Sequence, residues 1–305
     1  MCAIRIEVPS GGRVVGKYLI VTADDFGLTP GINRAILQAH AEGIVTGASL
    51  MAVGPAFEDA LVRARSARRL GLGVHLVWVD ERPVSPAEKI PTLVNAHGRF
   101  HSVRGFLLRL QLGFIRRDDL ERETRAQLER VLEAGIRPTH VDSHKHLHVL
   151  PLLRDLVLRL LPEYGIRAMR LPQERVPFSV SRAVGRAWPR ALAVTWLAER
   201  GRRTLSEAGV FFPDRFFGLF HTGALTEPVL LAIVRHLPEG VSELMCHPGF
   251  VDEALRAVRT RLRSCREEEV RALTSPFVRD EIRRRGVRLV TYEEAAERHR
   301  MGAFV

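Results

Sequence analysis

Short apolar runs alternate with segments in which apolar residues recur every three or four positions, from Lys17 almost to the end of the chain. Strands covered on both faces read as nearly continuous apolar runs, and Tyr18-Leu-Ile-Val-Thr22 is the first of these. Further strands are expected at Val45–Ala52, Leu72–Val79, Pro138–Ser143, Arg167–Leu171, Val241–Cys246 and Val287–Thr291. Helical spacing fills the intervals: Pro30–Ala41, a helix beginning near Pro55, Asp118–Ala134, Pro151–Tyr164, Glu227–His236, Arg266–Arg285 and Tyr292–Arg300. Asp80 to about His101 carries little pattern and reads as loop. Pro172–Thr222 breaks the rhythm with proline, arginine and aromatic residues, so it reads as an insertion or lid in a single domain spanning 17–301.

Right-handed β/α crossovers repeated this often close readily into a barrel. An α/β barrel of about seven parallel strands is therefore expected, with a doubly wound open sheet as the runner-up. The dinucleotide fingerprint is missing, because Ala23-Asp-Asp-Phe-Gly27 puts acids where a phosphate would need backbone N–H groups.

Composition narrows the picture. A chain of 305 residues, 46% of them hydrophobic, can bury one large core. No run of about 18 apolar residues is free of charge, so no transmembrane helix is expected. Met1 to Lys17 lacks a continuous apolar stretch, which argues against a secretory signal. Cys2, Cys246 and Cys265 stand at unrelated spacings and point to reduced thiols in a cytoplasmic setting. The net charge of +11 invites a nucleic-acid partner. The basic residues are nearly all arginines scattered among acids, with no recognition signature, so none is expected. Arg182, Arg186, Arg190, Arg200, Arg202 and Arg203 surround Trp188, Leu192, Val194, Trp196 and Leu197. That segment reads either as a solvated helix packing its apolar side or as a peripheral contact with an anionic membrane.

Functional groups of parallel β/α folds gather at the carboxyl ends of the strands, and four such ends here carry groups that an apolar core would reject. Asp24 and Asp25 are adjacent, which costs several kcal/mol to bury (~2–7 per uncompensated polar group) unless a cation or hydrogen bonds compensate. Strand alternation would point them oppositely, but a turn at Phe26-Gly27 could bring both to one site; capping of the next helix is the plainer role. His75 sits in an otherwise apolar strand, where a lone imidazole is usually a satisfied core histidine. Asp142, His144, His146 and His148 fall on one side of an extended chain by their period of two. His247, followed by Pro248, ends the sixth expected strand at the same rim. A divalent metal held by one carboxylate and two imidazoles explains this convergence economically.

With these residues in view, the sequence resembles the YdjC-like carbohydrate deacetylase family from about Lys17 to the final helix. The resemblance rests on Thr22-Ala-Asp-Asp-Phe-Gly-Leu28, Gly73-Val-His75, Thr139-His-Val-Asp-Ser-His144-Lys-His-Leu-His148 and Cys246-His-Pro248. Ala48–Ala52, Val74–Trp78 and Phe217–Thr226 resemble the branch associated with hopanoid biosynthesis. The resemblance implies a distorted TIM-like barrel with a single divalent metal, held by Asp25, His75 and His144. Asp24 would be the catalytic base, and His247, in its protonated form, the acid or transition-state partner. His146, His148 and Arg170 are left for contacts behind the ligands or with substrate, and Asp142 could orient His144 or a neighbouring imidazole. One Asp and two His suit Zn²⁺, while completion of the shell by water would also suit Mg²⁺ or Mn²⁺. The implied substrate is an N-acetylated amino sugar, carried on a lipid in the hopanoid branch; a chitooligosaccharide is the alternative. In that branch Arg182–Arg203, with Phe211, Phe212, Phe216 and Phe217, would form a greasy entrance at the bilayer. A homodimer remains open. Two competing functions also stand: a metal-dependent phosphoesterase, for which only Arg170 is well placed, and a non-catalytic sugar- or lipid-binding protein, in which the ligands should have decayed.

Overall fold

The computed structural model describes residues 16–175, 188–258 and 260–302, so Cys2, Arg182 and Arg186 lie outside the described residues. Among the described residues seven parallel strands form one sheet: β1 (Lys17–Phe26), β2 (Gly47–Leu50), β3 (Gly71–Leu76), β4 (Val141–Ser143), β5 (Arg215–Phe217), β6 (Gly240–Cys246) and β7 (Val287–Leu289). The spatial order is β4-β3-β2-β1-β6-β5, with β7 paired to the first residues of β1. The helices are α1 (Pro30–Ala41), α2 (Phe57–Ala64), α3 (Val103–Gln111), α4 (Arg117–Glu133), α5 (Pro151–Leu160) and α6 (Trp188–Glu207). They continue as α7 (Glu227–Arg235), α8 (Glu253–Ala257), α9 (Ser264–Thr274), α10 (Pro276–Arg284) and α11 (Tyr292–Arg300). Every residue of β6, and all but the first of β1, is buried, as expected for strands covered on both faces.

The sheet curves as a distorted TIM-like barrel, and three expectations need correction. Arg167–Leu171 forms only the single parallel bridges Val141–Met169 and Ala168–Phe211. These carry the curve from β4 towards the chain that enters β5. The seventh strand comes instead from the stretch read as an insertion, since β5 pairs with β6. The helix read as Arg266–Arg285 is broken at Ser275-Pro276, because proline lacks the N–H that an unbroken helix needs. α3 also forms where no helix was expected, capped by Ser102 accepting from the Gly105 N–H. Among the described residues no helix is long and apolar enough to cross a membrane.

Candidate active site

β1 delivers both aspartates to one place by breaking its own alternation. Asp25 has φ of 66°, and the pairing of β1 with β2 shifts register between Ala23 and Phe26. A regular strand would send neighbours to opposite faces; the left-handed Asp25 returns its carboxylate to the side of Asp24. The reversal thus lies at Asp25 itself, not at the Phe26-Gly27 turn. Such a conformation costs about 1–2 kcal/mol in a residue with a Cβ. Neither aspartate caps α1, whose Ile32 N–H is accepted by the Thr29 hydroxyl at 3.2 Å.

His75 projects from β3 towards Asp25, its Nε2 3.7 Å from Asp25 Oδ1. Its other nitrogen, Nδ1, lies 2.8 Å from Asp142 Oδ1, and Ser49 donates to Asp142 Oδ2 at 3.0 Å. Asp142 therefore orients His75, which leaves Nε2 facing the site. β3 can pass this close to β4 because Gly73 has no side chain: a Cβ there would stand 2.3 Å from the His140 ring. Burial works to lower the His75 pKa, but Asp142 and the nearby aspartates outweigh it and raise it to about 9.

The period-two reading of the histidines fails beyond Ser143. Residues 144–149 turn as a short 3-10 segment in which Lys145 and His146 are left-handed, with φ of 58° and 56°. The three imidazoles consequently diverge. His144 turns to the site, its Nδ1 3.2 Å from Asp25 Oδ1. His146 packs edge-on to Phe216, with ring centres 6.1 Å apart. His148 is buried beneath, its Nδ1 2.7 Å from the Ser143 hydroxyl and its Nε2 3.1 Å from the Arg170 carbonyl.

Asp24 is gripped by Arg170, which donates from Nη1 and Nη2 to its two oxygens at 2.8 Å each. The same guanidinium, fully buried, also meets Asp142 and Glu243. Burial raises the Asp24 pKa, and Arg170 only partly opposes it. His247 Nε2 stands 3.9 Å from Asp24 Oδ2. Burial pushes the His247 pKa down to about 3, so the imidazole is neutral in the resting protein.

These groups open onto a cavity of about 220 Å³ at the carboxyl ends of the strands, lined by Asp24, Asp25, His75, His144, His146 and His247. All four described non-glycine residues with positive φ, Asp25, Asp80, Lys145 and His146, line it as well. Strain of this kind concentrates at functional sites. Lys145 pairs with Asp80, and Arg190 donates to the Lys145 carbonyl, forming part of a basic rim with Arg261. A larger open groove, about 1020 Å³, lies at the opposite strand ends around Thr46, Gly71 and Thr139, away from these ligand-type groups.

The donor set suits a divalent cation. Among the described residues Asp25 Oδ1 is buried with no hydrogen-bond partner, and ligand atoms of Asp25, His75 and His144 lie within 4.8 Å of one another. Asp24, Asp25, Asp142 and Glu243 meet just two guanidiniums, Arg170 and Arg266, an excess of two carboxylates. Asp24, His75 and Asp142 also cluster, but Arg170 already occupies the position between the two carboxylates.

Several participants escaped the sequence reading. Glu243, a charge inside an apolar strand, carried the same cue as His75. It accepts from Arg170 at 2.9 Å and from the Tyr292 hydroxyl. Arg266, which donates to Asp25 Oδ2, and Glu269, which accepts the His247 N–H, stand in a helix rich in Arg and Glu, where no local signal separates them from surface charges.

Comparison with known proteins agrees with this constellation. Residues 18–284 match the YdjC-like protein family. A carbohydrate deacetylase of Geobacillus stearothermophilus is 37% identical over 91% of this chain and 98% of its own length. The mouse carbohydrate deacetylase is 34% identical, covering 90% and 94%. A crystal structure from Enterococcus faecalis, described as a cellobiose-phosphate cleavage protein, superposes with a TM-score of 0.74 at 29% identity, over 92% of this chain and 98% of that one. With the family matched along nearly the whole barrel, the chain belongs to the YdjC-like proteins.

Proposed function

We propose that the protein is a carbohydrate deacetylase that hydrolyses the acetamide of an N-acetylated amino sugar, with one divalent cation held by Asp25, His75 and His144. The observation that carries this reading is Asp25 Oδ1, buried opposite two imidazole nitrogens at 3.2 and 3.7 Å at the floor of the cavity. Relatives that span almost the same length bear the name carbohydrate deacetylase.

A divalent cation bound there supplies a Lewis acid for the acetyl carbonyl and lowers the pKa of water. Asp24 takes the proton of the attacking water. Burial makes it a stronger base than a surface aspartate, and the two-point grip of Arg170 fixes its direction. His247 enters neutral, receives that proton at Nε2 as negative charge develops beside it, and passes it to the departing amine. The new C–O bond leaves acetate and the broken C–N bond leaves the free amino sugar. His75 and Asp142 keep the ligand nitrogen aimed throughout.

The phosphoesterase reading draws nothing from Arg170, which is enclosed by three carboxylates. A lipid-carried substrate of the hopanoid type is favoured over a chitooligosaccharide by one feature. α6 contributes Arg190 and Ala191 to the cavity, and elsewhere on the same helix Leu192 and Trp196 are exposed. Metal content, together with acetate release from N-acetylglucosaminyl lipid and chitooligosaccharide assayed in parallel, tests both levels. Acetate from neither substrate, in a protein without metal, overturns the deacetylase reading. Release confined to the oligosaccharide, with no flotation on anionic liposomes, overturns the lipid one.

A further inference from the structure

Arg266 has no part in the steps above, although it is 1% exposed and touches a candidate ligand. It enters the site from the first turn of α9, with its stem against Gly249. A Cβ on Gly249 would stand 2.8 Å from Arg266 Cδ and 3.0 Å from Ile32 Cγ1, so the bare glycine is what admits the arginine. Nε donates to the Leu262 carbonyl at 3.1 Å, and Nη2 donates to Asp25 Oδ2. Nη1 is buried with no hydrogen-bond partner among the described residues. Among the described residues, Asp25 is the one carboxylate with which this guanidinium forms an ion pair. Glu269, a turn further along α9, accepts the His247 N–H instead.

We infer that Arg266 is a permanent countercharge to Asp25, which holds down the affinity of the site for its divalent cation while keeping the ligand carboxylate aimed. The inference rests on the reading of Asp25, His75 and His144 as the ligands. One carboxylate then serves two positive charges, with Oδ2 on the guanidinium and Oδ1 towards the imidazoles. Like charges repel strongly in a buried setting, so the arginine subtracts from cation binding. In return, the ion-free site does not hold a lone buried carboxylate free to swing away. With Oδ2 tied down, Oδ1 stays directed at His75 and His144, and the cation can enter and leave without rebuilding the site. Arg266 is thus a positioning residue that acts through Asp25.

Calorimetric titration of the ion-free full chain with Zn²⁺ and with Mn²⁺ tests this. Arg266→Gln keeps a donor without the charge, and its Kd is expected to tighten by at least about tenfold while acetate release falls. Arg266→Lys keeps the charge and is expected to stay within about threefold of wild type. Binding by Arg266→Gln that is equal to or weaker than wild type overturns the countercharge. A wild type that binds neither ion overturns the cation reading as well as this one. If circular dichroism shows that Arg266→Gln does not fold, Gly249→Ala, which displaces the stem, takes its place: a tighter Kd supports the inference and an unchanged one overturns it.

Discussion

Arg170 and Arg266 stand on adjacent aspartates, and their surroundings differ in charge balance. Arg170 is shared by Asp24, Asp142 and Glu243, so negative charge exceeds positive on its side of the site. Among the described residues, Arg266 pairs with one carboxylate, that of Asp25, and keeps one buried N–H without a hydrogen-bond partner. The first arrangement suits a base, because uncompensated negative charge and burial both raise the Asp24 pKa. The second suits a ligand. Burial opposes the charge on Asp25, but Arg266 and His144 prevail and hold its carboxyl well below the usual range. Two neighbours of identical chemistry are thereby set apart by which guanidinium each one meets.

The largest effect should come from removing the shared arginine. Arg170→Met leaves three buried carboxylates facing one another, and loss of about 3–5 kcal/mol or outright failure to fold is expected in urea denaturation. A variant that unfolds at the wild-type midpoint would show that the carboxylates do not depend on it.

Next, the two aspartates should separate by readout. Asp24→Asn should bind the cation with wild-type affinity and lose about 10²–10⁴-fold in kcat. Asp25→Asn should lose the cation itself. Equal cation affinity in both variants would erase the distinction drawn between them.

A pH series sharpens the ligand side. In ion-free protein the His75 pKa is raised from 6.5 to about 9. The stability this contributes is fully present below the unfolded value of about 6.5 and is lost as pH rises through about 9. Thermal melts of ion-free protein should therefore fall across that window by a few kcal/mol, at roughly 1.4 per pKa unit. Cation binding should strengthen over the same interval, since it displaces the His75 proton. A flat melt series from pH 6.5 to 9 would count against the paired imidazole.

The smallest effect is expected from Ser49→Ala, which removes one hydroxyl donor from Asp142. A stability loss of about 1 kcal/mol is expected, with kcat reduced only slightly, because Arg170 and His75 still hold that carboxylate. Comparable loss in kcat for Ser49→Ala and Asp24→Asn would place Asp142 nearer the chemistry than its geometry does.

Much of the barrel was legible because an apolar run followed by a helical period leaves a local mark. The strands around Val21, Val74, Val141 and Leu244 all formed, since each carries residues that only a doubly covered sheet accommodates. Two regions escaped. Arg167–Leu171 reads as a strand but meets its neighbours at single bridges, whereas Arg215–Phe217, inside an irregular stretch, supplies a ladder. Pairing depends on what lies alongside, and a short segment has too few residues to record that in its own pattern.

The sequence by itself determined which chemistry was available: two adjacent acids, an imidazole in each of two strand-end motifs and a further His-Pro, set at the rim by the order of strands. Only the tertiary structure decided how those groups sit relative to one another. The left-handed Asp25 brought both carboxylates to one face, Asp142 reached across to His75, and burial left His247 neutral. Arg266 arrived from 241 residues away along the chain. Ionisation and orientation depend on neighbours that converge only after folding, so local composition can name the functional groups but cannot set the charge on each.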